Sequence, residues 1–241
     1  MGALVEVRGL RVKYGEYEAV KGVSFSLRAG EILGVVGESG SGKSTIAKTL
    51  MGLEKASAGE VLIAPEARLQ MIFQDAVGSL NPRMTVRRAL EEALKHGCAA
   101  TSGAPAAGGN AGTVAELIDL VGLSAAVFDQ YPREMSGGQC QRVSIARALA
   151  VRPTVLVADE PVSALDVSVQ AKVLNLLRNL RRETGLAILL VAHDLAVVKN
   201  VCDRICVMER GVFVDSGESE EVFAHPSSEC TRRLLEAVPR I

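Results

Sequence analysis

The chain has few aromatic residues: tryptophan is absent, and aromatic side chains make up 3% of its 241 residues. Stacking platforms for single-stranded nucleic acid need several aromatic rings, so the composition disfavours that class of binding. Neither sign of charge is in excess, with 27 Lys and Arg against 28 Asp and Glu. Because a nucleic-acid backbone is bound mainly through cationic charge, we expect no nucleic acid among the partners of this chain.

Long hydrophobic runs and paired cysteines are also missing. The longest uncharged stretch, His96 to Ala115, is rich in Gly and Ala, and the most apolar run, Leu186 to Ala192, has the length of a strand. We therefore expect no transmembrane span, and the first residues show neither a signal peptide nor a myristoylation pattern. The five cysteines form no Cys-x-x-Cys pair, which is typical of reduced thiols in a cytosolic protein.

What the chain does contain is an alternation of apolar strands and amphipathic helices. Strand-like segments at Leu4–Val7 and Val20–Leu27 precede an apolar strand at Ile32–Val36, a glycine-rich loop and a helix that begins near Lys43. Strand, glycine loop and helix in that order form the βα unit of an α/β domain. Strands are predicted again at 154–158 and 186–192, with a hairpin at 204–215 and a last helix at about 231–237.

The middle of the chain is predicted to be helical. Apolar residues recur at helical spacing from Val86 and again from Val114, and a further helix is expected from about Gly137 to Ala150. Between the first two helices, residues 97–113 are mostly Gly and Ala, which predicts a flexible surface loop. No internal repeat is present, so we expect one nucleotide-binding domain over residues 1–241, with a helical subdomain at about 75–147.

A phosphate-binding loop follows the strand Ile32–Val36. The segment matches the pattern G-x-x-x-x-G-K-[ST] through Gly37, Glu38, Ser39, Gly40, Ser41, Gly42, Lys43, Ser44 and Thr45. Glycines let the backbone curl so that successive N–H groups point at phosphate oxygens, and the following helix adds the positive end of its dipole. We expect Lys43 to neutralise the β- and γ-phosphates and Ser44 to ligate Mg²⁺. The loop alone does not distinguish a kinase from a GTPase or a motor.

Two acids end the strand at 154–158. Asp159 and Glu160 follow an apolar run, which would bring them to the same edge of a parallel sheet as the phosphate loop. We expect Asp159 to hold Mg²⁺ through water and Glu160 to polarise the attacking water. One carboxylate on the metal and one on the water is a suitable division for phosphoryl transfer, which depends mainly on positioning.

A second glycine motif narrows the class. It consists of Ser136, Gly137, Gly138 and Gln139, preceded by Met135. This motif resembles the LSGGQ signature of the ATP-binding-cassette (ABC) ATPases. Its physical logic is a capped helix N-terminus that faces an anion. In that family the anion is the γ-phosphate of the nucleotide on the opposite subunit, so the resemblance assigns these four residues to the partner's ATP.

Other positions match the same family in order. By resemblance, Tyr14, in preference to Tyr17, is the aromatic residue that stacks on adenine. Gln74 reaches Mg²⁺ and the attacking water and begins the loop that meets the membrane partner. Asp166 belongs to the loop that contacts the second subunit. His193 is similar to the switch histidine that contacts the γ-phosphate. The resemblance therefore makes Glu160, His193 and Gln74 the catalytic group, with Mg²⁺ held by Ser44, Gln74 and Asp159.

The resemblance implies a fold, cofactors and partners. The fold is α/β, a P-loop NTPase (RecA-like) core with an antiparallel β subdomain and an α-helical subdomain. The cofactors are ATP and Mg²⁺. The partners are membrane permease subunits, a second ABC ATPase subunit that is the same chain or a paralogue, and, indirectly, an extracellular solute-binding protein. The location is the cytoplasmic face of the cell membrane, as a peripheral subunit.

Further runs resemble the peptide/nickel/opine importer subfamily. They are Ser79–Thr85, Glu160–Gln170 and the tail from Thr231 to Pro239. Ser228-Glu229-Cys230 departs from the subfamily pattern, which usually has His-Pro-Tyr before the threonine. The resemblance implies an ATPase that powers import of a peptide, nickel or a metal chelate through separate membrane subunits.

Two alternatives compete with this interpretation. A soluble ABC ATPase of DNA repair or of the ribosome would carry a long coiled coil or two cassettes, whereas Ser44 and Ser136 are only 92 residues apart and one cassette is present. An ordinary P-loop kinase or GTPase would leave the Ser136–Gln139 motif and His193 unexplained.

Overall fold

The computed structural model describes residues 2–99 and 112–236. In these residues the strands are β1 (Ala3–Tyr14), β2 (Tyr17–Arg28), β3 (Ile32–Val36), β4 (Ala58–Ile63), β5 (Leu69–Ile72), β6 (Val155–Asp159), β7 (Ala187–Ala192), β8 (Arg204–Glu209) and β9 (Val212–Glu218). The helices are α1 (Lys43–Leu50), α2 (Val86–Ala99), α3 (Val114–Leu120), α4 (Gly137–Ala150), α5 (Val167–Thr184), α6 (Leu195–Lys199), α7 (Ser219–Ala224) and α8 (Glu229–Glu236), with 3₁₀ turns at Ala125–Val127 and Pro132–Glu134.

The strands form two sheets. The larger has the order β5-β6-β7-β3-β8-β9, in which every pairing is parallel except the antiparallel β8–β9 hairpin. The smaller is antiparallel, in the order β2-β1-β4. This arrangement is the α/β, P-loop NTPase class predicted from the sequence, with its antiparallel subdomain. The parallel strands put the loops after β3, β5, β6 and β7 at one edge, where ligands bind in folds of this kind.

Both faces of the parallel sheet are covered. On β3, Ile32 and Val36 pack into one core with the helices, while Leu33 and Val35 pack into a second core with the antiparallel sheet and α1. Alternate residues of a strand point to opposite faces, so a strand covered on both sides is apolar throughout. This is why β3, β6 and β7 could be predicted from their apolar composition.

The helices α2, α3 and α4 pack against one another beside this sheet. Leu90, Leu117 and Val143, one from each helix, are fully buried in the core that also contains Leu156 of β6. Leu90 and Leu117 belong to the apolar positions predicted from helical spacing, whereas Val143 was not singled out by the sequence. The boundaries of a helical subdomain at about 75–147 remain a prediction, because its core is continuous with that of the sheet.

The predicted loop at 97–113 is wrong at its start. Helix α2 continues through Ala99, so residues 97–99 are helical, and residues 100–111 lie outside the described part of the chain. Gly97 is tolerated because it lies against the backbone of α4, where a Cβ would overlap the carbonyl oxygen of Ala150. Packing between helices therefore overrides the low helix propensity of glycine.

Four elements were not predicted: β4, β5, α6 and α7. Strand β4 is an edge strand with no buried residue, so it lacks the alternation by which strands are recognised. The other three are only four to six residues long. Within the described residues, no helix is both long and apolar enough to cross a membrane.

Candidate functional site

The glycine loop after β3 folds as a cradle that only glycine permits. Gly37, Gly40 and Gly42 have φ angles of 157°, 79° and 111°, in the region that L-residues rarely adopt. A Cβ on Gly37 would overlap the carbonyl oxygen of Met208, and one on Gly42 would overlap that of Ala19. The loop is thus pressed against β8 and β2, and its curvature is set by these two contacts.

Lys43 is directed back over the glycine loop. Its ammonium donates hydrogen bonds of 2.8 Å to the carbonyl oxygens of Gly37 and Glu38, and the side chain is 3% exposed. Burial lowers the pKa of Lys43, and the nearby carboxylates Glu160 and Asp159 act in the opposite direction. The cation is held at the mouth of the loop, where an anion would reduce the cost of its burial.

Ser44 and Asp159 meet at the edge of the sheet. The Ser44 hydroxyl donates to a carboxylate oxygen of Asp159 at 2.8 Å, and Asp159 is 4% exposed at the end of β6. Burial raises the pKa of Asp159, while the Ser44 hydrogen bond lowers it. A hydroxyl and a carboxylate oxygen are hard ligands of the kind that Mg²⁺ takes together with substrate phosphates and water.

Gln74 and Glu160 form the second polar pair. The Gln74 amide donates to the Glu160 carboxylate at 2.9 Å, although the two are 86 positions apart in the sequence. Glu160 follows β6 with a φ of 46°, an uncommon conformation for a residue other than glycine. Such conformations cluster at functional sites, where the surrounding structure enforces them.

A cavity of about 420 Å³ opens in front of these groups. It contains Lys43, Ser44, Gln74 and Glu160 and is bounded by Tyr14, Tyr17, Ala19, Ser39, Gly40, Gly42 and Thr45. Tyr14 is 44% exposed at the end of β1, with its pKa raised mainly by partial burial. Tyr14, Lys43, Ser44 and Gln74 thus share one opening, whereas Asp159 lies behind Ser44 and does not line it.

The residues present fit a magnesium nucleotide. The glycine cradle excludes side chains, and the Ser41 hydroxyl is buried in it without a hydrogen-bond partner. Among the described residues, no three His, Cys, Asp or Glu side chains lie close enough to hold a metal by themselves. A metal at Ser44 and Asp159 would therefore depend on ligands from a phosphate, as magnesium sites in nucleotide-binding proteins do.

A second cavity, of about 590 Å³, adjoins the first. The two share Ser39, Gln74 and Glu160, and His193 and Gly137 line only the second. Ser136, Gly138 and Gln139 line neither cavity. Of the Ser136 motif, only Gly137 therefore shares a cavity with a residue of the phosphate loop, Ser39.

The Ser136 motif is a capped helix start. Ser136 accepts a hydrogen bond from the Gln139 backbone N–H at 3.3 Å, and the Gln139 side chain accepts one from the Ser136 N–H at 2.8 Å. A Cβ on Gly138 would overlap Val169 of α5, so glycine is needed for the two helices to approach. The capping box and the contact with Val169 therefore fix the first turn of α4.

Asp166 also caps a helix. It accepts hydrogen bonds from the Val169 N–H and the Ser168 hydroxyl, and these two contacts lower its pKa. Asp166 is exposed and lies in neither cavity. Sequence reasoning missed Gln170 one turn later, whose side chain donates to the carbonyl oxygens of Val162 and Leu165. No local pattern marks such a contact.

Comparison with known proteins gives the family. The ABC transporter family model matches residues 20–163. The oligopeptide transport ATP-binding protein OppF of Haemophilus influenzae is 47% identical over 236 residues, which are 92% of this chain and 70% of that protein.

Two solved structures share the fold. The ATP-binding cassette MJ0796, in a dimeric post-hydrolysis state bound to ADP and Pi, has a TM-score of 0.74 at 30% identity over 89% of this chain and 98% of that one. CbiO1 from Clostridium perfringens, part of the ABC transporter complex cbiONQ, has a TM-score of 0.77 at 25% identity over 100% and 97%. These similarities favour a transport ATPase over a soluble cassette of DNA repair or the ribosome. The chain belongs to the ABC transporter family, as an ATP-hydrolysing subunit that uses ATP and Mg²⁺ to power solute import.

Proposed function

We propose that this chain powers the import of oligopeptides, as one of two ATPase subunits bound to membrane permease subunits on the cytoplasmic face. The observation that carries the proposal is the joining of Lys43, Ser44, Gln74 and Glu160 in one cavity, in a chain 47% identical to an oligopeptide transport ATPase. An extracellular binding protein would deliver the peptide to the permease. Nickel or a metal chelate is the second candidate, since the subfamily resemblance includes both.

The residues divide the work of hydrolysis. Lys43 and the N–H groups of the glycine loop bind and orient the phosphates, while Ser44 and Asp159 hold Mg²⁺, which neutralises developing charge when bound. Glu160 orients the attacking water and draws off its proton. Gln74 holds the Glu160 carboxylate, and His193 approaches the γ-phosphate from the adjoining cavity.

The second half of each ATP site comes from the partner subunit. Three of the four residues of the Ser136 motif line neither cavity beside the phosphate loop, which favours a contact of this motif with the nucleotide of a second cassette. Two nucleotides are then enclosed between two chains, with Asp166 and its loop at the junction. Loss of the γ-phosphate removes the contact that joins the halves, and the dimer opens.

The membrane subunit docks in a groove beside Gln74. A cavity of about 470 Å³ lies between β5 and the helices α2 and α4, and it is bordered by the exposed side chains of Leu53 and Phe73. Polar groups at its margin include Glu92 and Arg147. An apolar groove with a polar rim is suited to one helix of a permease subunit. Contact with Phe73 would place the permease helix next to Gln74. Opening and closing of the ATPase dimer would then be transmitted to the membrane channel.

Glu160→Gln tests the hydrolytic assignment. The amide cannot take a proton from water, so we expect turnover to fall by about a hundredfold or more while ATP binding is retained. ATP should then trap a dimer, measured by light scattering with and without nucleotide. Adding Ser136→Arg to the same chain should abolish that dimer. Near-normal turnover of Glu160→Gln, or an ATP dimer insensitive to Ser136→Arg, would contradict the proposal.

A further inference from the structure

The segment from Glu160 to Asp166, here the 160–166 loop, begins in a strained conformation. Glu160 has a φ of 46°, a conformation that is unfavourable for a residue other than glycine. Such a conformation persists only where neighbouring contacts enforce it. The 160–166 loop also lines the cavity that contains Gln74 and His193. What holds the loop therefore decides where the Glu160 carboxylate lies.

Two backbone carbonyls of the loop accept hydrogen bonds from within the loop. The Glu160 carbonyl accepts hydrogen bonds from the Ser163 N–H at 3.3 Å and from the Ser163 hydroxyl at 3.1 Å. The Val162 carbonyl accepts one from the Leu165 N–H at 3.2 Å. These contacts are all internal to the loop, so they give it a shape but do not attach it to the rest of the protein.

Two contacts attach the loop to its surroundings: the Glu160 N–H donates to the Val191 carbonyl of β7 at 3.0 Å, and Gln170 holds the other part of the loop. The Gln170 side-chain amide donates to the Val162 carbonyl at 3.1 Å and to the Leu165 carbonyl at 2.9 Å. The two N–H groups of the Gln170 amide thus donate to the first and the last residue of the turn from Val162 to Leu165. Among the described side chains, Gln170 alone donates to either carbonyl. Its backbone belongs to the first turn of α5, where its N–H bonds to the Asp166 carbonyl at 2.9 Å.

We propose that Gln170 is a positioning residue for ATP hydrolysis, because it anchors the 160–166 loop to α5 and so keeps Glu160 in its left-handed conformation beside Gln74. The inference rests on the proposed role of Glu160 as the residue that orients water. Gln170 touches neither nucleotide cavity. Its effect should therefore appear in the rate of hydrolysis and leave nucleotide binding intact.

Gln170→Met tests the hydrogen bonds from Gln170 to the 160–166 loop, because methionine has a similar length and no hydrogen-bond donor. Gln170→Glu is a second variant, in which a carboxylate replaces the donor. Asn175→Leu is the matched control, since it removes an exposed amide from the same helix. The readouts are single-turnover MgATP hydrolysis by the full chain, the affinity for ATP, and hydrogen–deuterium exchange of the 160–166 loop.

We expect Gln170→Met to slow hydrolysis by about tenfold with ATP affinity within about twofold, since misplacement of a catalytic group acts on the rate. Exchange at the Ser163 and Leu165 amides should quicken in both Gln170 variants and stay unchanged in Asn175→Leu. Unchanged exchange, or faster exchange with a normal hydrolysis rate, would overturn the inference. Glu160→Gln assayed in parallel separates the two proposals: if it alone hydrolyses normally, the role of Glu160 fails.

Discussion

At the scale of single residues, the site is built from groups whose burial is costly without a partner. Lys43 and Asp159 are both nearly inaccessible to solvent. Burial lowers the pKa of Lys43 and raises the pKa of Asp159, so it favours the neutral form of each group. Phosphates beside the lysine and a cation beside the aspartate would favour the charged forms of both. Binding of ATP and Mg²⁺ should therefore stabilise the folded protein.

Lys43→Ala should weaken ATP binding. The ammonium makes charge-assisted contacts, so we expect a loss of roughly 2 kcal/mol, or about thirtyfold in the dissociation constant. Titration of a fluorescent ATP analogue measures it. Lys48→Ala, an exposed lysine on the same helix, is the control. Equal affinity in Lys43→Ala and the unmodified chain would exclude the phosphate role.

Stability should fall as the pH rises through the alkaline range. Burial raises the pKa of Cys206 to about 11, and it also raises the pKa of Cys202. Above about pH 8.5 the unfolded chain loses these thiol protons while the folded chain keeps them. Ionisation therefore stabilises the unfolded state, and the free energy of unfolding falls as the pH rises. Denaturant titrations between pH 8 and 11 would show the slope.

Cys206→Ala is the variant to compare in those titrations. It should be less stable at pH 8 because a buried side chain is truncated, but its stability should decline less steeply with pH. An identical slope in both chains would contradict the assignment. The described cysteines Cys140, Cys202, Cys206 and Cys230 are free and buried, which agrees with the expectation of reduced thiols.

At the scale of elements, close approach of backbones decides where glycine is needed. Gly97 in α2 lies against the C-terminal end of α4, and Gly138 at the start of α4 lies against α5. A side chain at either position would force two helices apart. Glycine thus serves packing in the helices, whereas in the phosphate loop it also supplies backbone conformation.

Gly97→Ala should destabilise the protein although alanine is the better helix former. The added methyl would overlap the Ala150 carbonyl, and overpacking of this kind costs about 1–3 kcal/mol. Thermal unfolding with and without the change measures it, with the exposed Arg88→Ala as the control on the same helix. A stabilised Gly97→Ala would show that α2 and α4 do not pack as described.

At the scale of the whole molecule, the parallel sheet brings the site residues together and the helices carry the surfaces that we propose for contact with partners. The groove bordered by Leu53 and Phe73 lies on the helical side of β5, next to the loop that begins with Gln74. The Ser136 motif lies on the same group of helices. The helical region would therefore move together with both the partner nucleotide and the permease.

Leu53→Asp should abolish co-purification with the permease subunits from membranes. A carboxylate in the groove would have to be desolvated against an apolar helix. Leu62→Asp is the matched control, because Leu62 is also exposed but lies on β4 of the antiparallel sheet. ATP binding should persist in both. Equal loss of the permease in the two variants, or in neither, would argue against docking at this groove.

The sequence by itself determined the elements with a regular apolar pattern and the motifs with fixed spacing. Strands β3, β6 and β7 and helix α4 could be predicted from their composition. Lys43, Ser44 and the Ser136 cap could be predicted from the order of residues in their motifs. These features were predictable because their physics is local: period, capping and glycine conformation involve residues within a few positions of one another.

Only the tertiary structure decided which of these residues meet. Gln74 reaches Glu160 across 86 positions, and Ser44 reaches Asp159 across 115, because two parallel strands end at the same edge of one sheet. Strand β4, which pairs with β1, and the helical state of residues 97–99 were likewise decided by neighbours distant in the chain. A hydrogen bond or a close contact between residues far apart in the chain produces no periodic pattern in the sequence. Such a contact can therefore be identified only from the folded structure.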